Sequence, residues 1–216
     1  MLLFDKNCKN SGFTLVELLM AMTITTIVSA GIVGAYRSQQ NTQLAQKQSV
    51  EMQQNIRAAL LIMTSEIRMA GYDPDGTNNA GIVNAGDGSN NLNRLIFTYF
   101  NPDAPADGLD NNNDGNIDES GESLQAVEYY LYDSLGDGTI DLGRRNGARL
   151  DAIAENIQTL QFTYLDGDGN ITATLADIRS IQITMVATTD ANELNYTGTN
   201  NTRTLTTNVK CRNLGI

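Results

Sequence analysis

The chain lacks histidine and tryptophan, and it is poor in proline, cysteine and positive charge. Without histidine it can form neither a Ser-His-Asp nor a Cys-His catalytic arrangement, nor a zinc site with histidine ligands. Its 25 acidic residues outnumber its 14 basic residues, so binding to nucleic acid or acidic lipid is not expected. Divalent cations are more suitable partners for such an acidic chain than nucleic acid or acidic lipid. An enzymatic function is not expected.

The two cysteines, Cys8 and Cys211, can pair only if both remain in the mature protein. If the first twelve residues are removed, Cys211 is left alone. It then shares an alternating strand face with Leu205 and Val209. This pattern favours a small buried apolar side chain over a reactive thiol.

A nearly continuous apolar stretch covers residues 13–36 and could cross a membrane as a helix. At 1.5 Å per residue it would extend about 36 Å, against a hydrocarbon core of ~30 Å. Lys6 and Lys9 precede it, so this end is expected on the cytoplasmic side and the remainder is exported.

One carboxylate, Glu17, lies just inside this stretch. Near the start of a helix, snorkelling and the positive end of the helix dipole lower the free-energy cost of placing this charge at the membrane. A tolerated interfacial charge is therefore one interpretation. The other is an electrostatic partner: cleavage after Gly12 would expose an amino group on Phe13, and the amine of a neighbouring subunit could neutralise Glu17.

The position of Ser11-Gly12 sets this segment apart from an ordinary secretory signal, whose cleavage site follows the apolar core. The sequence "GFTLVELL" resembles the processing signature of type IV prepilins and of the pseudopilins of type II secretion. The resemblance implies that an inner-membrane prepilin peptidase cleaves between Gly12 and Phe13, that Phe13 is N-methylated, and that Glu17 assists docking into a filament. Residues 1–12 would then be a leader peptide.

Helical spacing continues beyond Tyr36 into a polar segment, residues 37–70. Apolar side chains recur there at intervals of three and four, as on one stripe of an amphipathic helix: Met52, Ile56, Ala59, Leu60, Met63, Ile67 and Ala70. Gly71 and then Pro74 are expected to end the helix. The pattern predicts one helix from Phe13 to about Ala70, followed by a globular domain over residues 71–216.

The globular part reads as strands and loops. Five strands are predicted, at residues 95–100, 126–132, 160–165, 180–187 and 203–211. Single helical turns are suggested at "AENI" (154–157) and "LADI" (175–178). The fold class is therefore α+β, a long N-terminal helix packed on an antiparallel sheet.

Later segments extend the resemblance over most of the chain. "EIRMAGYDP", "IQTLQFTYLDGDG", "IRSIQITMVATT" and "TRTLTTNVKCRNL" look like PilW-type minor pilins and the related large minor pseudopilin of type II secretion. This resemblance implies a pilin-like fold, other pilin or pseudopilin subunits as partners, and a role in priming or capping a filament. The implied location is the inner membrane, with a periplasmic C-terminal domain and later incorporation into the fibre.

An acidic loop, residues 107–122, is the second chemically informative stretch. Residues 95–143 contain eleven acidic side chains and no lysine or arginine. The loop reproduces the D-x-[DN]-x-[DN]-G-x-x-D opening of a calcium site, although its twelfth position is glycine, so it is not a standard EF-hand. The expected ligands of a structural Ca²⁺ are Asp110, Asn112, Asp114, Asn116 (through its carbonyl), Asp118 and Glu122, with Glu119 or Asp107 as alternatives to Glu122. A merely solvated acidic loop is the other interpretation.

Weaker acidic patterns occur at residues 166–170 and 137–141, and a plain β-turn is the better interpretation of the first. Three functions remain open from the sequence. They are a minor pilin of a type IV pilus for adhesion, motility or DNA uptake, a minor pseudopilin of type II secretion, and a calcium-dependent surface binding module anchored by its helix.

Overall fold

The computed structural model describes residues 12–74, 76, 79–84, 93–101, 124–189 and 201–215. It divides into two units, Met1–Ala45 and Gln46–Ile216. The described part of the first unit is an N-terminal extended segment and helix. The second unit holds the C-terminal end of that helix and all the strands.

A single helix, α1 (Leu15–Ile67), accounts for all the described α-helical structure. Within the second unit it buries the predicted stripe up to its end, including Ile56, Met63 and Ile67, each with no exposed surface, and the last predicted member, Ala70, is buried in the turn that follows. Met69, which follows the helix, is 42% exposed and takes no part in the core. The amphipathic pattern is thus confirmed: spacing of three and four residues places the apolar side chains on one face.

The helix ends three residues earlier than expected, and Gly71 turns the chain. Residues 68–71 form turns, and Gly71 has a left-handed backbone with φ of 76°. Its N–H donates to the Thr98 carbonyl at 3.0 Å, and Phe100 N–H donates to the Tyr72 carbonyl at 2.6 Å. The exit of the helix is therefore hydrogen-bonded to a strand. A Cβ at Gly71 would lie 2.4 Å from Leu214 Cδ2, so the close approach also requires glycine.

In the described part of the chain eight strands form two antiparallel sheets, where the sequence suggested one sheet of five strands. The five-stranded sheet has the order β1-β2-β3-β4-β5 and the three-stranded sheet the order β6-β7-β8. Their bounds are β1 Ile82–Asn84, β2 Leu95–Phe100, β3 Leu124–Tyr132, β4 Asp141–Asn146, β5 Arg149–Ala154, β6 Ile157–Leu165, β7 Ser180–Thr188 and β8 Thr202–Lys210.

All five expected strands are present, as β2, β3, β6, β7 and β8. The other three strands were missed because they are short or weakly apolar. The sequence did carry a turn signal for the β4–β5 hairpin, because Asn146 is followed by Gly147. In the structure Gly147 has a φ of 59° in a two-residue turn. Glycine at the first central position is typical of such hairpins.

Of the two suggested helical turns, "LADI" is confirmed and "AENI" is wrong. A 3₁₀ helix covers Leu175–Asp177. At "AENI", β5 ends at Ala154 and β6 begins at Ile157. Asn156 between them has a left-handed φ of 58°, and its N–H donates to Asp141 Oδ1 at 3.1 Å. This buried carboxylate holds the short connection between β5 and β6, where the local sequence favoured a helical turn.

One hydrophobic core unites the helix stripe with both sheets. It contains Phe97 and Tyr129 from the five-stranded sheet and Phe162 and Ile183 from the three-stranded sheet. Cys211 belongs to the same core, is 2% exposed and is unpaired, as its alternating face predicted. Burial raises the pKa of its thiol to about 11, which keeps the thiol neutral.

Candidate functional site: the N-terminal segment

The residues around the expected processing point are exposed and precede the first helical turn. Gly12, Phe13 and Thr14 lie outside α1, which starts at Leu15. The Phe13 side chain is 91% exposed. A Cβ placed on Gly12 would meet no atom within 4 Å, so no contact with the described residues requires glycine there. A requirement for glycine at this position is consistent with close approach of another molecule.

Thr14 and Glu17 form a reciprocal cap on the start of α1. Glu17 Oε2 accepts hydrogen bonds from Thr14 N–H and Thr14 Oγ1, both at 2.9 Å. In return, Glu17 N–H donates to Thr14 Oγ1 at 3.3 Å. Such a capping box satisfies backbone donors that would otherwise have no partner at a helix N-terminus. Glu17 therefore stabilises the helix start in addition to carrying a charge.

Thr14 is a site residue that the sequence reasoning missed. The signal was present, because threonine followed three residues later by glutamate, ahead of an apolar run, is the pattern of a capping box. The family signature drew attention to the glutamate alone. The structure brings Gly12, Phe13 and Glu17 to the same end of the helix and adds Thr14 to them.

Beyond the cap, α1 presents an apolar surface that is long enough to cross a membrane. Its most apolar window has a mean hydropathy of 1.9, and none of that window is buried within the chain. Leu15, Ile27 and Ile32 are 75%, 68% and 64% exposed. So large an exposed apolar surface indicates that another apolar phase or partner covers it.

Threonines in this stretch do not interrupt its apolar character. Thr23, Thr25 and Thr26 each donate their hydroxyl to the carbonyl four residues earlier, at 2.8 Å. A hydroxyl satisfied inside the helix needs no water, so these residues are compatible with a hydrocarbon environment.

Comparison with protein families matches both parts of the chain. Residues 7–33 match the prokaryotic N-terminal methylation motif. Residues 45–211 match the family of prepilin peptidase-dependent protein B, which covers well over half of the sequence. The chain belongs to this family. A comparison with curated proteins finds no match.

Membership establishes the coarse character of this family member. It is a pilin-like or pseudopilin-like protein with a prepilin-type methylation motif, and the family description implies processing by prepilin peptidase. The apolar N-terminal helix is consistent with membrane anchoring. The resemblance inferred from the sequence is thus confirmed at the level of the family.

The expected calcium ligands, Asp110, Asn112, Asp114, Asn116, Asp118 and Glu122, lie outside the described residues. Across the part of the chain that is described, no group of three or more acidic, cysteine or histidine side chains could hold a metal ion. The acidic run at 166–170 is a turn, as expected. Asp166 Oδ1 accepts the N–H groups of Asp168 and Asn170 at 2.9 and 2.8 Å, and hydrogen bonds from Asn170 lower the pKa of Asp166.

A polar network that the sequence did not reveal joins α1 to the five-stranded sheet within the second unit. Arg144 on β4 donates to Glu66 near the end of α1, with Nε 2.9 Å from Oε2 and Nη2 2.6 Å from Oε1. Tyr129 on β3 donates its hydroxyl to the same carboxylate. The side chains of Arg144 and Glu66 are only 17% and 22% exposed.

The pKa values in this network follow from burial and pairing. Burial, and then the hydrogen bond to Glu66, raise the pKa of Tyr129, so its hydroxyl remains a donor. Hydrogen bonds to Glu66 raise the pKa of Arg144 above its ordinary value, so its guanidinium stays charged. The network holds the helix end on the five-stranded sheet, since it links Glu66 of α1 to Tyr129 of β3 and Arg144 of β4.

Proposed function

We propose that this protein is a minor pilin or pseudopilin, a structural subunit that primes or caps assembly of a type IV pilus. In this proposal it is made as an inner-membrane prepilin and anchored by residues 13–36. Its C-terminal domain faces the periplasm. Prepilin peptidase removes residues 1–12, and the mature chain then joins other pilin or pseudopilin subunits. The protein acts by assembly and catalyses no reaction.

The observation that carries this proposal is the capped, exposed apolar helix that starts at Leu15, shortly after Gly12. Phe13 and the following apolar side chains are exposed and have no cover within the described part of the chain. A bilayer covers such a surface before assembly, and the helices of neighbouring subunits would cover it in a filament. The polar Glu17 at one end of this surface then sets the position of one helix against the next.

In the proposed filament, Glu17 neutralises the amino group of Phe13 on an adjacent subunit. Both of its capping contacts use Oε2. Among the described residues, no hydrogen bond to Oε1 is recorded, so this oxygen is available to an incoming amine. In apolar surroundings an unpaired charge is expensive, and pairing it across subunits favours the correct axial register.

Processing is tested by mass spectrometry of the protein purified from a host that has its prepilin peptidase. The expected N-terminus is an N-methylated Phe13, and a Gly12→Val variant should remain at full length. Gly34→Ala is the matched control, because a Cβ at Gly12 or Gly34 meets no atom within 4 Å. The control should be cleaved like the wild type. An intact Met1 on the natively expressed protein would overturn the proposal.

The role of Glu17 in assembly is tested by comparing two substitutions. Glu17→Gln removes the charge but keeps a side chain that can complete the capping box, whereas Thr14→Ala removes the threonine side of the cap and keeps the charge. Glu17→Gln should lower the number of fibres per cell at least about tenfold, which corresponds to roughly 1.4 kcal/mol. Thr14→Ala should reduce fibre number less. Normal fibres with Glu17→Gln would contradict an electrostatic role.

We also propose a structural Ca²⁺ in the acidic loop, residues 107–122. The support is the ligand spacing of the sequence and the excess of carboxylates over cations there. Calcium should raise the melting temperature of the purified protein by mass action, and Asp114→Ala should remove the increase. Asp166→Asn is the control, since this carboxylate lies in a hydrogen-bonded turn. Identical melting curves with calcium and with chelator would exclude the site.

Deletion of the gene distinguishes the three roles left open by the sequence. Loss of surface fibres supports the pilus. Intact fibres with failed protein secretion would support a type II pseudopilus, and intact fibres with weakened, calcium-dependent attachment would support a surface binding module.

A further inference from the structure

Strand β8 is the one long edge strand without a register irregularity in the described part of the chain. It is nine residues long and pairs with β7 in unbroken register from Thr202 to Lys210. By contrast, register shifts occur in the pairings of β1 with β2, β4 with β5, and β6 with β7. Short strands, bulges, prolines and charged side chains are the usual protections of a sheet edge; β8 has none of the first three, and its two charged side chains, Arg203 and Lys210, lie towards its two ends.

No described strand pairs with the outer side of β8, which we call its open edge, and the register identifies which backbone groups face it. Cys211 N–H donates to Arg179, and Asn201 accepts from Thr189, both at 2.9 Å, so the odd-numbered residues are the ones hydrogen-bonded to β7. In an antiparallel pair the alternate residues point their N–H and C=O groups away from the partner. On β8 these are Thr202, Thr204, Thr206, Asn208 and Lys210, and all five are exposed.

The charge of this sheet differs from that of the whole molecule. The protein carries a net charge of −11. Strands β6, β7 and β8 contain no acidic residue, and their two charged side chains are Arg203 and Lys210, both exposed and both on the edge strand. Arg212 follows directly after it. An extended segment with acidic side chains would therefore be attracted to this edge, whereas a basic segment would be repelled.

We infer that the open edge of β8 is a binding site for an extended, acidic segment of another protein chain, which adds to the three-stranded sheet as a fourth strand. Backbone hydrogen bonds to the outward-facing residues supply the affinity, and Arg203 and Lys210 supply the preference for acidic partners. Pairing of β8 with a second β8 would gain no charge complementarity, because both charged side chains of the strand, Arg203 and Lys210, are cations. The inference does not depend on the processing or filament proposals.

Amide hydrogen exchange on the full-length protein in detergent provides a residue-specific test. The probe is a blocked nine-residue peptide alternating glutamate and threonine, at about 1 mM. It should slow exchange of the Thr204, Thr206 and Asn208 amides at least tenfold and leave the Leu205 and Thr207 amides unchanged. A peptide with lysine in place of glutamate should protect them less, and Arg203→Gln with Lys210→Gln should abolish the difference.

A matched pair of substitutions separates backbone pairing from side-chain contact. Thr206→Pro removes an outward-facing N–H that the β7 pairing does not use, so the sheet should still form, but protection by the acidic peptide should be lost. Thr206→Val removes the same hydroxyl, which lies 3.2 Å from Thr184 Oγ1, but keeps the N–H, and should retain protection.

Three results would overturn the inference. The outward-facing amides could already be protected in the free protein, which would show that the edge has a partner within the chain. The acidic peptide could fail to protect them, or the proline and valine variants could respond alike.

Discussion

At the scale of single residues, buried polar side chains of this protein act by hydrogen-bonding across elements. Glu66 illustrates this, since its carboxylate accepts hydrogen bonds from both Arg144 and Tyr129 of the five-stranded sheet. Asp141 is similar: it is 1% exposed and accepts from Ser134 and Asn156. Removing one partner of such a group leaves the other without compensation, which costs more than the net value of the bond.

We therefore predict a graded loss of stability at the Glu66 network. Tyr129→Phe should lower the free energy of unfolding by about 1 kcal/mol, because one hydrogen bond is lost. Arg144→Met should cost about 3 kcal/mol, because it leaves a largely buried carboxylate unpaired. Urea unfolding in detergent, followed by tyrosine fluorescence, measures both.

Arg149→Met is the control for this series. Arg149 pairs with Asp151, but its side chain is 78% exposed, so its loss should cost less than about 1 kcal/mol. Equal losses for Arg144 and Arg149 would show that the network carries no special stability.

At the scale of elements, the same helix changes its surroundings along its length. Its N-terminal part is apolar on all sides, and no residue there is buried within the chain. In the second unit one apolar stripe of the helix is buried, and the remaining surface is mostly polar with a few exposed apolar side chains such as Leu61. A helix that is hydrophobic on all sides requires an apolar environment, whereas an amphipathic one needs a single packing face.

The stripe predicts a sharp contrast between neighbouring positions on α1. Met63 has no exposed surface, so Met63→Ala should lower the free energy of unfolding by about 2–5 kcal/mol through lost contacts and a cavity. Leu61 is 71% exposed, and Leu61→Ala should change it by less than about 0.5 kcal/mol. Thermal and urea unfolding of the two variants check this, and a larger effect at Leu61 would contradict the packing.

At the scale of the whole molecule, the protein is strongly acidic and has no group that ordinarily titrates near neutral pH other than the terminal amine. It has a net charge of −11 and no histidine. Hydrogen bonds from Thr139 lower the pKa of Asp137, and hydrogen bonds from Asn170 lower that of Asp166, so both ionise more readily when folded. Their stabilising contribution is present above their ordinary pKa of 3.8 and is lost as the pH falls through the lowered value.

We predict that the melting temperature is nearly constant between about pH 6 and 8 and falls below about pH 4. At alkaline pH the Cys211 thiol has the opposite effect on stability. Because its pKa is raised in the folded state, the thiol ionises first in the unfolded state, so the folded state becomes less stable as the pH rises from 9.0 towards about 11. Calorimetry in detergent over this range is the measurement. A step centred near pH 6.5 would be inconsistent with a chain that has no histidine.

The sequence by itself determined the elements with strong local signals. Apolar spacing of three and four located the buried stripe of α1, and alternation located five strands, since these periods follow directly from backbone geometry. The apolar run with Gly12, Phe13 and Glu17 identified the family, because processing and anchoring depend on a short linear segment.

Only the tertiary structure decided how the strands divide between two sheets and which polar groups meet. Strands β4 and β5 are too polar to be recognised alone; β3 supplies the hydrogen-bonding partner of β4, and β4 supplies that of β5. Glu66 and Arg144 are 78 residues apart in sequence, and no local pattern pairs them. The open edge of β8 likewise follows from its position in the sheet, because an edge strand and a central strand of similar composition differ only in their neighbours.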